Sequence, residues 1–410
     1  MYARKLSIYD FKCFEKAVLD LQYPGREGDP ISEIPNINLI LGENGGGKSS
    51  VLRALAIAIL APALAGYVPY RLVRRSDKGH PAKEALLKVE AVANEGERIG
   101  GLKGRLELLA RVDPASRGSQ DRINLKSTPE SPIDSLLYDD YSPAFFMVGY
   151  GATRRVETGD FSESSARRTR GLRYLRVAGL FEDHVALRPL TSWLGSIPSE
   201  RLAEAIQLLD SVLPDTIRFR GDYDGDDRQF VFEFEGVSTP FTALSDGYKA
   251  FIGWAGDLIG HLADVAPAKT PLVDVSGIVL IDEIDLHLHP AWQRAVVPML
   301  AKGFPKLQFI MTSHSPLIAS TVKRENVFVT EHDAEGGATI RQLDEYVFGR
   351  SAEQLLLSPY FGLLSTRSES FGVQSDELFS RVAKGDSNAA LEYLDSLIGP
   401  VVSQAKDQAG

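Results

Sequence analysis

Apolar residues form two patterns along the chain. Near the start, over residues 4–22, they alternate with polar residues and predict two short strands. Later they run continuously, which is typical of strands buried on both faces. These runs are "INLILG" (37–42), "PAFFMVGYG" (143–151), "GIVLIDE" (277–283) and "LQFIMTSH" (307–314). Buried strands that alternate with helices indicate an α/β protein.

Helical spacing of apolar residues predicts the connections between these strands. The predicted helices are one directly after residue 48, three over 190–214, 245–264 and 290–302, and a helical tail after residue 345. Further strands are predicted at 86–94 and 105–113, in a hairpin from 217 that turns at Gly225, and in a pair near 326–343. We therefore expect four segments, with boundaries at 1–150, 151–215, 216–345 and 346–410.

A glycine-rich turn joins the first buried strand to the first helix. Its residues Gly42, Gly47, Lys48 and Ser49 match the pattern G-x-x-x-x-G-K-[ST]. Glycines let backbone N–H groups converge on phosphate oxygens, the lysine reaches the β- and γ-phosphates, and the serine binds Mg²⁺. The sequence therefore predicts a site for ATP and Mg²⁺. The predicted binding residues are Gly42, Asn44, Gly45, Gly46, Gly47, Lys48, Ser49 and Ser50.

Two adjacent acids, Asp282 and Glu283, end the strand "GIVLI". One carboxylate at such a position can hold Mg²⁺, and the other can polarise an attacking water. An acid pair at a strand end is often only a solvated turn, but the upstream phosphate loop makes it the expected second half of the site. We predict that Asp282 binds the metal and that Glu283 is the general base.

The composition limits the classes of protein that the chain can be. The formal net charge is −10 and the pI about 5.3, which argues against a generally basic nucleic-acid-binding protein. Cys13 is the only cysteine, so an intrachain disulfide and a CxxC zinc pair are excluded. The start has no apolar signal-peptide core, and the longest apolar stretch, 54–68, is interrupted by Pro62. We expect a cytoplasmic protein with no membrane contact.

Two further motifs resemble those of the ABC-type ATPases. They are "TALSDGYKAF" at a helix start and "FIMTSHSP" at the end of the strand after the acid pair. The resemblance implies that Ser245, Asp246 and Gly247 form a signature that contacts the γ-phosphate bound by the opposite subunit. It also implies that Asp285 belongs to the loop after the acid pair and that His314 senses the γ-phosphate.

The motifs together are similar to those of the short-armed SMC/RecF/OLD-like group, which includes ATPase subunits of antiphage defence systems such as Septu (PtuA-like). They are "KLSIYDFKCF", "GENGGGKSS", "GYGATRR", "LSDGY", "DEIDLHLHPAWQ" and "TSHSP", and the resemblance covers residues 1–345. It implies a P-loop NTPase fold of ABC type, with a mixed-sheet nucleotide lobe and a helical insertion lobe. It also implies a homodimer or higher oligomer that closes around ATP.

The sequence departs from the ABC pattern at one place. It has no convincing glutamine for the loop that completes the Mg²⁺ and water shell, and "GYGATRR", with Tyr150 and Arg154, occupies that position. The spaced acidic clusters of the OLD nuclease domain are also missing, so we expect no nuclease activity from this chain.

Three functions fit these observations. The first is a regulatory ATPase that gates a separate effector, such as a nuclease, in antiviral defence. The second is a RecF-like ATPase of DNA repair that clamps on DNA, and the third is a scaffold that binds ATP and hardly hydrolyses it. The first implies a separate effector protein as partner, and the second implies nucleic acid.

Three remaining features each allow two interpretations. His287 and His289 either ligate zinc or belong to a turn before the helix that Pro290 opens. An arginine-rich stretch, which includes Arg167, Arg168, Arg170 and Arg173, either binds DNA or RNA phosphates or forms a solvated loop or dimer contact. The helical tail either packs on the parent domain or docks a partner.

Overall fold

The computed structural model describes most of the chain. The described residues are 1–28, 32–66, 71–76, 79–94, 104–115, 120–125, 137, 139–156, 171–183, 185–332 and 337–398. They divide into two compact units, Met1–Leu355 and Leu356–Gly410. Each unit is a separate body with its own internal contacts.

The strands make one large sheet and two small ones. They are β1 (Tyr2–Phe11), β2 (Phe14–Asp20), β3 (Ile37–Gly42), β4 (Ala85–Val92), β5 (Arg105–Asp113), β6 (Arg122–Ile123), β7 (Met147–Tyr150), β8 (Arg155–Val156), β9 (Ala186–Leu187), β10 (Ile217–Arg218), β11 (Tyr223–Asp224), β12 (Gln229–Phe234), β13 (Val237–Pro240), β14 (Gly277–Ile281), β15 (Leu307–Thr312), β16 (Val327–His332) and β17 (Ala338–Arg341).

Ten helices lie in the described residues. They are α1 (Lys48–Leu64), α2 (Leu172–Leu175), α3 (Ser199–Ser211), α4 (Asp246–Val265), α5 (Pro290–Gln293), α6 (Val296–Gly303), α7 (Pro316–Ala319), α8 (Ala352–Leu356), α9 (Glu369–Ala383) and α10 (Ser387–Ile398). In this part of the chain, none is long and apolar enough to cross a membrane.

The large sheet has eleven strands in the order β6-β5-β4-β1-β2-β17-β16-β3-β15-β14-β7. From β16 to β7 the neighbouring strands are parallel, and from β6 to β2 they are antiparallel. The parallel half contains the four continuous apolar runs, because strands covered on both faces need apolar residues throughout. The carboxyl ends of its strands lie at one edge of the sheet, so residues from distant parts of the sequence are close together there.

Helix α1 follows β3 and is buried along most of its length, from Val51 to Leu64. It contacts β3 and β15 of the parallel half and β4 and β5 of the antiparallel half. Pro62 lies inside this helix, and Leu60 has the irregular backbone angles φ −106° and ψ 20°. The loss of an N–H and the ring clash with the preceding turn explain this irregularity.

The predicted α/β class with a mixed sheet is confirmed, and so are the predicted strands at 37–42, 86–94 and 105–113. The predicted helix over 290–302 is in fact two helices, α5 and α6. The predicted helical insertion contains α2, α3 and short 3₁₀ turns, and the tail contains α9 and α10. The division of the first unit into three segments remains a prediction.

Candidate nucleotide-binding site

The glycine-rich loop lies at the carboxyl end of β3, between the parallel neighbours β15 and β16. Gly42, Gly45 and Gly47 have φ values of 142°, 82° and 93°, which residues with a side chain rarely adopt. A Cβ on Gly42 would lie 2.1 Å from Thr330 Oγ1 on β16, and a Cβ on Gly47 would lie 2.5 Å from Cys13 Sγ. Both glycines are therefore required by backbone conformation and by close packing.

Lys48 begins α1 and folds back over the loop. Its Nζ donates hydrogen bonds to the carbonyl oxygens of Gly42, at 3.0 Å, and Glu43, at 2.8 Å. Burial lowers the pKa of Lys48, and the charges of Asp282, Glu283 and Asp285 oppose that shift. The ammonium thus lies within electrostatic reach of the acid pair, although 234 positions separate Lys48 from Asp282.

The acid pair follows β14, two strands from β3. Asp282 is only 7% exposed, and its Oδ1 accepts a hydrogen bond from Thr312 Oγ1 at 2.6 Å. The same hydroxyl oxygen accepts from the Glu283 backbone N–H at 2.8 Å. Thr312, at the end of β15, therefore positions both members of the pair.

Glu283 has a strained backbone with φ 51°, in the left-handed region. A non-glycine residue there costs on the order of 1 kcal/mol, which neighbouring contacts must offset. Its N–H bonds to Thr312, and its carbonyl oxygen accepts from Arg154 Nη2 and from the Leu286 N–H. These contacts fix the backbone of Glu283 in its left-handed conformation directly after β14.

Asp285 and His314 meet at the same edge of the sheet. The backbone N–H of His314 donates to Asp285 Oδ1 at 3.3 Å. Burial and the charge of Lys48 lower the pKa of His314, while the three nearby acids act in the opposite direction. The imidazole is therefore held in its neutral form at pH 7, able to accept or donate a hydrogen bond.

The predicted signature lies at the start of α4. Ser245 is the exposed N-cap residue, and its side chain makes no capping hydrogen bond. Gly247 packs so closely that a Cβ would lie 2.7 Å from the carbonyl oxygen of His287, in the loop after the acid pair. Asp246 is exposed and pairs with Lys249 at 2.9 Å. The signature turn thus presents a free hydroxyl at the surface.

The segment after β7 links the acid pair to α4. Tyr150 OH donates to Asp257 Oδ2 on α4 at 2.9 Å, and Arg154 donates to the carbonyl of Glu283. Burial lowers the pKa of Arg154 to about 10, so the guanidinium stays protonated at neutral pH. This segment therefore joins the loop that carries Glu283 to helix α4, and its role in place of the glutamine loop remains a prediction.

Sequence reasoning missed Thr312 and Thr330. Thr312 precedes the "SH" of the histidine motif, so its position at a strand end beside the acid pair was the available signal. Thr330 pairs with Gly42 in the register of β16 and β3 and packs its hydroxyl against the glycine-rich loop. No local pattern marks Thr330, because its role comes only from strand pairing.

Neither of the two interpretations of the arginine-rich stretch fits Arg173. Arg173 is 3% exposed, and its guanidinium donates to the carbonyl oxygens of Asp139, Ala144 and Phe145. It stabilises the turn before β7 because these carbonyls need a donor once they are buried. Arg167, Arg168 and Arg170 lie outside the described residues.

His287 and His289 have separate local surroundings. His289 is the N-cap of α5, and its Nδ1 accepts from the Ala291 N–H at 3.3 Å. His287 has a positive φ of 66° in the loop that Gly247 contacts. Among the described residues, no group of three or more His, Cys, Asp or Glu side chains is arranged to hold a metal ion.

Family models match the two parts of the chain that meet at this site. A model described as "AAA domain, putative AbiEii toxin, Type IV TA system" matches residues 200–320, and one described as "AAA domain" matches residues 5–63. The second region contains the glycine-rich loop. The first contains the signature, the acid pair and His314.

Curated proteins and solved structures show similarity over longer or shorter stretches. Septu protein PtuA from Bacillus mycoides (strain KBAB4) is 27% identical over 382 residues, which is 93% of this chain and 47% of that protein. Retron Ec83 probable ATPase from Escherichia coli is 38% identical over 102 residues, 25% of this chain and 19% of that protein. An SMC head bound to the C-winged helix domain of ScpA has a TM-score of 0.49 at 18% identity, over 84% of this chain and 98% of that one.

The chain spans about half or less of the length of these curated relatives. The resemblance to Septu-type ATPases, predicted from the motifs, is confirmed by the similarity along nearly the whole chain.

Proposed function

We propose that this chain is an ABC-type ATPase that closes as a dimer around ATP and controls a separate effector, such as a nuclease, in defence against phage. The observation that carries the proposal is the meeting of Lys48, Asp282, Glu283 and His314 at one edge of the parallel sheet. Similarity to Septu PtuA over 93% of the chain supports the biological role.

In this proposal the glycine-rich loop binds the phosphates through its backbone N–H groups. Lys48 exchanges its bonds to the Gly42 and Glu43 carbonyls for phosphate oxygens, because a charge-assisted bond to an anion is stronger than one to a neutral carbonyl. His314 is neutral at pH 7 and contacts the terminal phosphate. The remaining wall of the phosphate pocket is formed by Asn44, Ser50 and Asp285.

The side chains fit a bound Mg²⁺. The Ser49 hydroxyl and the Asp282 carboxylate are oxygen donors of the kind that Mg²⁺ prefers. Thr312 holds one oxygen of Asp282, and the other has no hydrogen-bond donor among the described residues. When bound, Mg²⁺ would offset negative charge on the phosphates.

Glu283 is the proposed general base. Thr312 and Arg154 hold its backbone in the strained left-handed conformation, and Thr312 also bonds to the neighbouring Asp282. Such pre-positioning reduces the reorganisation needed during hydrolysis. Glu283 would polarise the attacking water and accept its proton.

The signature acts in trans in this proposal. The Ser245 hydroxyl is exposed and uncapped at the start of a twenty-residue helix, which suits an anion presented by another subunit. ATP would then join two chains, and hydrolysis would separate them. The output of the cycle is a conformational state that an effector can recognise.

Glu283→Gln tests the ATPase part of the proposal. We expect this variant to bind ATP, to hydrolyse it at least about a hundredfold more slowly and to accumulate as an ATP-dependent dimer in light-scattering measurements. Glu107→Gln, an exposed exchange on β5, is the control. Unchanged phosphate release in Glu283→Gln would contradict the assignment of the base.

A pull-down of tagged Glu283→Gln from cells with the native flanking genes tests the biological role. We expect a stoichiometric effector protein in the trapped complex. Recovery of DNA alone would favour the RecF-like alternative. In that case Arg173 could not contact the DNA phosphates, because it is buried.

A further inference from the structure

A cavity of about 200 Å³ lies in the first unit, beside the acid pair. The end of β7, the segment around α2 and one face of α4 form its walls. Besides Tyr141 and Tyr150, its charged and titratable lining residues are Arg154, Arg176, Arg188, Asp257, His261 and Asp264. It is roomy enough for several water-sized groups, since a water molecule occupies about 30 Å³ of liquid.

Two guanidinium groups of this cavity have unused donors. Arg154 Nη1 and both Nε and Nη2 of Arg176 are buried and have no hydrogen-bond partner within the part of the chain that the structure describes. Arg176 is 3% exposed, and its guanidinium lies 5.6 Å from the centre of the Phe146 ring. Burial lowers the pKa of each arginine to about 10, so both are charged at neutral pH.

The acids on the opposite wall already have partners. Asp257 accepts from Tyr150 OH at 2.9 Å and from the Arg188 N–H at 2.9 Å, and its Oδ2 is 3.3 Å from His261 Nε2. Asp264 pairs with Arg188 at 2.6 Å. The donors without partners are therefore cationic, whereas both oxygens of Asp257 and one oxygen of Asp264 have donors. A buried donor that lacks an acceptor is costly, so an anion is the ligand that would complete this cavity.

We propose that this cavity binds the phosphate group of a small molecule, either free inorganic phosphate or a nucleoside monophosphate, through Arg154 and Arg176. Guanidinium groups offer the forked donor geometry that phosphate oxygens match. The negative charges of Asp257 and Asp264 on the other wall disfavour a second anionic group on the ligand. The cavity is a second anion site, separate from the glycine-rich loop.

A ligand in this cavity contacts both catalytic elements. Arg154 also donates to the Glu283 carbonyl, and Asp257, His261 and Asp264 belong to the helix that begins at the signature. Where the proposed ATPase function holds, occupancy of the cavity therefore biases the position of the base relative to the signature. The binding step itself does not depend on ATP hydrolysis.

The test is a calorimetric titration of the full-length chain with inorganic phosphate and with adenosine 5′-monophosphate at constant ionic strength. Lys48→Ala is the parent for all variants, because it weakens anion binding at the glycine-rich loop. We expect saturable phosphate binding by the parent and a loss of about tenfold or more in Arg176→Lys, whose ammonium lacks the fork. Arg201→Lys, at an arginine outside the cavity whose side chain is 12% exposed, is the control and should bind as the parent does.

Val185→Trp keeps the test decisive if Arg176→Lys fails to fold. Val185 is a half-buried lining residue, and a tryptophan there fills the cavity without removing a charge. We expect it to abolish binding. Parent-like affinity in both folded variants, or no saturable binding by the parent, would overturn the proposal. Tighter binding of the monophosphate identifies a nucleotide as the ligand, and equal or tighter binding of inorganic phosphate identifies the free ion.

Discussion

The glycine-rich loop and the arginine-lined cavity offer donors to anions in opposite ways. The loop uses backbone N–H groups from one short stretch, residues 42–50, where positive φ values and close packing replace side chains. The cavity uses the side chains of Arg154, in the segment after β7, and Arg176, at the end of α2, opposite one face of α4. The loop depends on local backbone conformation, whereas the cavity depends on the packing of distant side chains. Different substitutions should therefore disable the two regions.

Arg154 connects the two regions. It lines the cavity and donates a hydrogen bond to the carbonyl of Glu283. The charges of Asp282, Glu283 and Asp285 raise its pKa, and they act in the same direction on Lys48. Some substitutions should therefore affect only the glycine-rich loop, whereas others should affect the loop and the cavity together through Arg154 and its neighbours.

Lys48→Ala should have the largest effect. Removing the ammonium leaves the phosphate charge uncompensated, so we expect ATP hydrolysis to fall by about a hundredfold or more. Phosphate release and equilibrium ATP binding measure the change. Lys88→Ala on the surface of β4, which removes only the pair with Glu107, should leave both unchanged. A Lys48→Ala enzyme as active as Lys88→Ala would show that the loop is not the ATP site.

Thr312→Val should have the next largest effect. The exchange keeps the shape but removes the hydroxyl that bonds to Asp282 Oδ1 and the Glu283 N–H, which should cost about 1–3 kcal/mol of stability and slow hydrolysis about tenfold or more. Chemical denaturation and steady-state rates check it. Thr321→Val loses one bond to the Ile318 carbonyl and is the matched control. Equal rates in the two variants would remove Thr312 from the site.

Tyr150→Phe tests the connection through α4. It removes the bond to Asp257, for which we expect a loss of about 1 kcal/mol in unfolding free energy and a few-fold decrease in hydrolysis. Tyr2→Phe removes a bond of similar length, 2.8 Å, to the Lys306 carbonyl far from the acid pair. Tyr2→Phe should therefore lower stability but not the rate. A rate unchanged in both variants would separate α4 from catalysis.

The pH dependence of stability should show the smallest effect. The pKa of His314 is lowered in the folded state by burial and by Lys48, so the unfolded chain binds a proton first as the pH falls below about 6.5. Stability should therefore decrease as the pH falls through this window, and the decrease should be small because the ring is partly solvated. Denaturation of His314→Gln from pH 7.5 to 5.5 should lose this component, whereas exposed His80→Gln should retain it. An identical pH slope in His314→Gln would contradict the shift.

Much of the candidate site was predictable because its parts are short and local. The motif at 42–49 predicts a turn from a strand into a helix, which the structure contains, and the acid pair at the end of an apolar run predicts a carboxyl strand end. A cluster of charged residues in the sequence was a poorer guide to which side chains are exposed. Arg173 was expected at the surface with its neighbours, yet it is buried because carbonyl groups of the turn before β7 accept its hydrogens.

The sequence by itself determined the four buried strands, the helix after the glycine-rich loop and the identities of Lys48, Asp282, Glu283 and His314 as candidates. Only the tertiary structure decided that β14, β15 and β3 are adjacent, that Thr312 and Thr330 support the site, and that Arg154 and Arg176 share a cavity. The physical reason is the distance along the sequence over which each interaction acts. Strand and helix patterns arise from neighbours along the chain, whereas these contacts join residues tens to hundreds of positions apart, whose packing no local pattern records.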